Sequence, residues 1–225
     1  MIYILWPTIR PQIFKNMHNQ WIQKAKNPSN IKTNVAVNTQ DQANELLDYN
    51  VIITNSEKIG VCYSAYQLTS KLEANDNDIV ILASDDFLPP QNWDEYLINK
   101  LDGKNGALFV RDGYQLPDSS NMLHPAITIP IMTFSCLKEL NKAVYHPEFL
   151  HMFSDCELYY NLKDLGLLID NRLTDGTVFE HLHHAAGKRP ADNNDKTYYN
   201  NWGADEITWN RRRLMSLEDR LKINK

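Results

Sequence analysis

Asp85 and Asp86 stand side by side behind the apolar run Ile79 to Ala83, with Ser84 leading into them. Adjacent carboxylates at the end of a buried strand repel, and each raises the other's pKa unless a cation sits between them. A divalent metal resolves that conflict. Magnesium or manganese held by one or two carboxylates keeps positions open for phosphate oxygens, bridging protein and diphosphate. The same pair also suits a turn ahead of Pro89 and Pro90, where Asp is favoured without any chemistry. Three more polar stretches follow short apolar runs: Pro7-Thr8-Ile9-Arg10, Asn38-Thr39 and Thr54-Asn55. In an open parallel sheet, ligands bind outside the carboxyl ends of the strands, which makes all four stretches candidates.

Two clusters lie later in the chain. Asp155 sits in Phe153-Ser154-Asp155-Cys156-Glu157-Leu158, where Ser154 and Glu157 read as a capping box and an acid in the first turn favours the helix dipole. Glu180-His181-Leu182-His183-His184 follows a β-prone stretch, so His181 and His183 point to the same side. Imidazole is an ordinary metal ligand; alone, the cluster also fits a zinc site or a surface patch. Gly187, Lys188 and Arg189 beside it suit a mobile cover. Arg211-Arg212-Arg213 reads as a solvated helix face.

The positioning elements follow from periodicity. Ile2 to Leu5 predicts a strand ended by prolines, and Ile13, Met17, Trp21 and Ala25, four apart, predict a helix. Asn34 to Val37 and Val51 to Thr54 predict strands around a stretch where Ala43, Leu46 and Leu47 have helical spacing. Val61, Ala65, Leu68 and Leu72 mark a helix face, and Asn75 to Asp78 breaks it before the run at Ile79, a central strand covered on both faces. Further on, Gly106 to Val110, Ala126 to Ile131, Leu167 to Ile169 and Thr177 to Phe179 predict strands, and Leu158, Leu162 and Leu165 a helix stopped by Gly166. Arg111 to Leu123 and Gly187 to Asn201 read as loops. Ile207, Leu214, Leu217 and Leu221 suggest a closing helix in which Trp209 is core. Alternating strands and helices imply an α/β fold with a mostly parallel sheet.

The 225 residues are 43% hydrophobic, enough for one large domain. The net charge of -5 argues against sequence-independent binding to a polyanion. No apolar run is long enough to span a bilayer and no signal-peptide pattern opens the chain, so a cytoplasmic protein without an integral membrane segment is expected. Cys62, Cys136 and Cys156 are odd in number and widely spaced, which predicts buried reduced thiols.

The segment DIVILASDDFLPPQNW, Asp78 to Trp93, resembles the aspartate motif of GT-A fold glycosyltransferases, above all the inverting family-2-like group. Ser84 stands where that motif often has its first Asp. The proline-bounded loop at Pro7, the acidic motif at Asp155 and the histidine cluster match the same family in the same order. The resemblance implies a single GT-A (Rossmann-like) domain over 1–225, with a nucleotide-binding half to about residue 100 and an acceptor and catalytic half after it. It implies transfer of a sugar, with inversion, from a nucleoside-diphosphate sugar, UDP-linked in the first instance, to a hydroxyl acceptor on a glycan, a protein or a modified nucleobase. Mn²⁺ or Mg²⁺ is the implied cofactor, on Asp86 with His183 or His181. Asp155 is the implied base. Pro7, Thr8, Asn38 and Asn55 line the base and ribose pocket, Arg10 and Lys188 reach the diphosphate, and Ser84 and Asp85 border ribose or sugar. Two competitors share the acidic strand end. A nucleotidyltransferase acting on a sugar phosphate wants a Gly-rich first loop, which is missing here; a non-catalytic sugar-nucleotide or carbohydrate-binding module would keep the fold without turnover.

Overall fold

The short apolar runs of the first hundred residues become strands, and the amphipathic stretches between them become crossover helices. A computed structural model describes residues 1–54, 60–115, 125–174, 176–191 and 193–223, leaving aside the side chains of 193–199. In chain order, β1 (Ile2–Pro7), α1 (Pro11–Lys24), β2 (Ile31–Val37), α2 (Gln40–Asn44), β3 (Asn50–Ile53), α3 (Val61–Ser70) and β4 (Ile79–Leu82) form the first part. The rest comprises β5 (Phe87–Leu88), α4 (Trp93–Leu101), β6 (Ala107–Phe109), β7 (Ile131–Thr133), α5 (Phe134–Glu139), α6 (Ser154–Asp164), β8 (Leu168–Asp170), β9 (Glu180–His181), α7 (Asn193–Arg212) and α8 (Leu217–Leu221).

Seven strands make one sheet in the order β3-β2-β1-β4-β7-β6-β8. β7 runs antiparallel to both neighbours and every other pairing is parallel. β4 explains why a continuous apolar run was needed at this position. Val80 and Leu82 face a core shared with Ala65 and Leu68 of α3 and Leu158 and Leu162 of α6, while Ile79 and Ile81 face Phe14, Met17 and Trp21 of α1 and Trp93 and Leu97 of α4. A strand covered on both faces has no polar position to spare. Each fully buried aliphatic or aromatic side chain there stabilises the fold by about 1.5–3 kcal/mol.

Several expectations are corrected. The buried stripe of α1 is Phe14, Met17 and Trp21, and Ile13 is exposed. Ala126 to Ile129 is buried but pairs with no strand; the ladder begins at Ile131, after Pro130, which lacks an N–H to donate. In the stretch Thr177 to Phe179, Val178 forms only an isolated bridge to Arg111, and pairing proper starts at Glu180. Much of the expected loop from Gly187 to Asn201 is helix, since α7 starts at Asn193. Its inward face carries Asp205, Trp209 and Arg212, all buried, while Ile207 and Leu214 are exposed, so an apolar stripe was the wrong signal. Arg212 is therefore no part of a solvated face. The capping box expected at Ser154 and Glu157 is absent. Phe153 caps α6 in the left-handed region (φ 64), and the Ser154 hydroxyl donates to the His151 carbonyl. A capping box does form at Thr39 and Gln42, ahead of α2. Cys62, Cys136 and Cys156 are buried and free, and burial pushes all three thiols up. Among the described residues, no helix is long and apolar enough to cross a membrane.

Candidate functional site

The chain leaves β4 through Ala83 and Ser84 and presents Asp85 and Asp86 to opposite neighbours. Asp85 turns inward. Its Oδ1 accepts from the Trp6 indole N–H at 2.8 Å, and its Oδ2 from the Thr8 hydroxyl at 2.9 Å and Arg10 Nε at 3.1 Å. Thr8 Oγ1 in turn accepts from the Arg10 backbone N–H at 2.9 Å, and the Thr8 N–H donates to the Ala36 carbonyl at 2.9 Å, beyond the last residue of β1, Pro7. Burial pushes the Asp85 carboxyl up, against Arg10, Thr8 and Trp6, which favour its charge. The carboxylate thus latches the first strand-end loop to the fourth. Asn38 sits at the neighbouring strand end, its Oδ1 accepting from the Thr54 hydroxyl at 3.2 Å and its N–H donating to Gln42 Oε1 at 2.9 Å. Asn55 lies outside the described residues.

Asp86 faces the other way, toward a segment 95 residues on. β5 and β9 pair antiparallel, with Phe87 opposite His181. The Leu182 N–H donates to the Asp86 carbonyl at 2.7 Å, and the Phe87 and His181 rings stack at 4.2 Å. This register sets His181 Nε2 3.3 Å from Asp86 Oδ2. Ser84 donates its hydroxyl to Asp86 Oδ1, and the Arg189 guanidinium lies 3.8 Å from Oδ2. Burial works against the charge of Asp86, but His181, Ser84 and Arg189 hold its carboxyl down at about 2.

Asp112 stands behind His181. Its Oδ1 accepts from the N–H groups of Tyr114 and Gln115 at 2.9 and 2.7 Å, and its Oδ2 from the Thr128 hydroxyl at 2.9 Å. His181 Nδ1, 3.9 Å from Asp112 Oδ2, is buried without a hydrogen-bond partner among the described residues. Burial alone lowers the imidazole pKa; the carboxylates of Asp112 and Asp86 outweigh it and raise it.

His183 lies against His181, ring centroids 4.9 Å apart, and stacks on Tyr114 at 4.6 Å. Its Nδ1 accepts from the Ala185 N–H at 3.2 Å, capping a short 3-10 turn. Burial, then the neighbouring His181 and His184, pull it down to about 4. Lys188 holds the Gly113 carbonyl at 3.1 Å and Glu180 at 3.3 Å, so the charge reaching Asp86 is that of Arg189. Asp155 is half-buried in the first turn of α6. Its carboxylate accepts from the Cys156 N–H at 2.9 Å, and burial pushes its pKa up against the field of His181. His151, four residues earlier, is held down at about 4 by burial, within the fields of Asp205 and Asp86.

Among the described residues no three His, Cys, Asp or Glu side chains gather closely enough to hold a metal by themselves. Asp86 and His181 nonetheless fit magnesium or manganese, which take one or two protein ligands and draw the rest from water and phosphate. His181 Nδ1 faces Asp112 from 3.9 Å, beyond hydrogen-bond distance, and Nε2 is the ring nitrogen turned to Asp86.

Asp112, His151 and Asp205 were missed by the sequence reading. Asp112 follows the apolar stretch ending at Val110, so the rule that found Asp86 applies to it. His151 and Asp205 carry no comparable signal.

No protein-family model matches the sequence, and no curated protein matches it. Solved structures do. Mannosyltransferase PcManGT from Pyrobaculum calidifontis, in complex with GDP-Man and Mn²⁺, superposes with a TM-score of 0.59 at 13% identity, over 80% of this chain and 56% of that one. S. aureus TarS 1-349 in complex with UDP gives 0.59 at 13%, over 80% and 59%, and its complex with UDP-GlcNAc gives 0.56 at 13%, over 80% and 57%. The chain therefore spans less than two thirds of the length of these structures. The likeness establishes the fold, which is GT-A, with a mostly parallel central sheet flanked by helices.

Proposed function

We propose that this chain is a glycosyltransferase that moves a sugar from a nucleoside diphosphate, UDP in the first instance, to a hydroxyl acceptor with inversion. The observation that carries the reading is the convergence of Asp86 and His181, 95 residues apart, at 3.3 Å outside the carboxyl end of β4. Its support from similar folds is that PcManGT is in complex with GDP-Man and Mn²⁺, and TarS with UDP-GlcNAc. The chain acts as one unit, its first hundred residues on the nucleotide side.

Asp86 and His181 hold Mn²⁺ or Mg²⁺, with His181 favoured over His183 because the Nδ1 of His183 is already engaged. When bound, the ion offsets the charge that grows on the departing diphosphate. The Asp112 carbonyl accepts from the His181 backbone N–H at 2.8 Å and so places that residue, and Arg189 adds a second positive charge beside the diphosphate. Pro7, Thr8 and Asn38 wall the nucleotide, with Asp85 fixing the loop that carries the first two. Asp155 accepts the proton of the acceptor hydroxyl, and its raised pKa brings the carboxylate nearer the working pH of a base.

The test is a thermal-shift screen of UDP-, GDP-, CDP- and dTDP-sugars with and without Mn²⁺, followed by assay for nucleoside diphosphate release. A metal-dependent response to one donor together with turnover is expected. Binding without turnover would favour a non-catalytic module, and no response to any donor would remove the donor reading.

A further inference from the structure

The base helix α6 is held in place by a neighbour that reaches none of the reacting groups. Asp205, in α7, is buried. Its Oδ1 accepts from the Leu150 N–H at 2.8 Å, and its Oδ2 accepts from the N–H groups of His151 and Met152 at 2.8 and 2.7 Å. Three consecutive backbone donors on one carboxylate fix a segment that has no regular structure of its own. The far side of that segment is equally confined. Gly60, ahead of α3, comes so close that a Cβ there would lie 2.6 Å from the Leu150 carbonyl oxygen.

One turn further along α7, Trp209 stacks parallel to Phe153, ring centroids 6.4 Å apart. Another turn on, Arg212 pairs with Glu157 through Nε at 2.8 Å and Nη2 at 3.1 Å, both side chains buried. Spacings of four and three put Asp205, Trp209 and Arg212 on one face of a helix. That face touches 150–152, then 153, then 157, on either side of Asp155.

We propose that Asp205 is a positioning residue for catalysis: it anchors residues 150–152 so that the first turn of α6 presents Asp155 at the site of Asp86 and His181. The claim rests on the glycosyltransferase reading above. A carboxylate is needed because it offers lone pairs on two oxygens and no donor, whereas an amide offers one acceptor oxygen and turns an NH₂ toward backbone N–H groups. Displacing a reacting group by about 1 Å costs roughly 10²-fold in rate.

The experiment compares wild type, Asp205→Asn and Asp205→Glu in the full chain, using the nucleoside-diphosphate sugar that stabilises wild type with Mn²⁺. Donor affinity, kcat and KM for diphosphate release, and amide hydrogen exchange at 150–152 are measured. Asp205→Asn is expected to keep donor affinity and KM within about twofold, lose roughly 10²-fold in kcat, and exchange faster at 150–152. Asp205→Glu keeps the charge but not the reach, and is expected not to restore kcat. A kcat equal to wild type in Asp205→Asn overturns the proposal, as does loss of donor affinity in parallel with kcat, which marks a general structural role. If wild type neither binds nor turns over any donor, the glycosyltransferase reading fails and takes the catalytic role with it; unchanged exchange at 150–152 in Asp205→Asn would refute the anchoring separately.

Discussion

Asp85 and Asp86 are neighbours in sequence with the same side chain, yet the fold uses them in opposite ways. Asp85 is buried, and three donors, Trp6 of β1 and Thr8 and Arg10 of the loop after it, occupy both of its oxygens. Asp86 faces His181 and the Arg189 guanidinium, both brought from late in the chain. One carboxylate is committed to structure within the first half of the sheet. The other sits beside β9, paired from late in the chain, and keeps its charge. The turn after β4 sends the two neighbouring carboxylates to opposite partners, one to β1 and its loop and the other to β9.

The contrast can be broken in graded ways. The largest effect on rate is expected at Asp155, where Asp155→Asn lowers transfer by about 10²–10⁴-fold with donor affinity kept, read by steady-state kinetics. In the wild type, activity is expected to rise with pH through the Asp155 pKa, which burial places above the ordinary carboxylate value, and Asn is expected to remove that acid limb. The largest effect on stability is expected at the buried pair between α6 and α7. Arg212→Met strands the Glu157 charge and costs about 3–5 kcal/mol in denaturant unfolding, whereas replacing both partners with apolar residues costs much less. Asp85→Asn should cost about 1–3 kcal/mol by leaving part of the Trp6, Thr8 and Arg10 donor set unsatisfied. An Asp85→Asn protein as stable as wild type would show that the latch is not one.

The pH dependence is smaller and its sign follows from His181. The folded pKa is raised above 6.5, so the ion pairs with Asp86 and Asp112 add stability that is fully present below the unfolded pKa and lost as pH rises through the folded value. A metal on Nε2 must displace that proton, so Mn²⁺ affinity should increase across the same window. Titration calorimetry at several pH values checks this, and His181→Asn should flatten the dependence.

The first half of the fold was legible because β1 and β4 are apolar runs and α1 and α3 carry apolar faces, β4 above all, where residues 79–82 are buried on both faces. Asp86 and the histidines stood out in the sequence as polar residues just after such signals, and Asp155 as an acid in the first turn of a helix. The division between Asp85 and Asp86 was hidden, because it depends on Trp6, Thr8 and Arg10 approaching across the sheet. α7 was legible only in its later turns, as a closing helix with Trp209 in the core; the rest of its inward face pairs Asp205 with backbone N–H groups and Arg212 with Glu157, and periodicity of apolar residues has nothing to report there. Ser154 and Glu157 mimicked a capping box because the spacing was right, but Glu157 is turned inward to Arg212.

The most direct measurement is nucleoside-diphosphate sugar binding, with and without Mn²⁺, to wild type, Asp86→Asn and Asp85→Asn. Ligand at about 100 times its Kd should stabilise wild type by roughly 2.7 kcal/mol in the presence of the metal. The expected result is that Asp86→Asn loses the metal-dependent part while Asp85→Asn, though less stable, keeps it. Metal-dependent binding that survives in Asp86→Asn would contradict the assignment of Asp86 to the site.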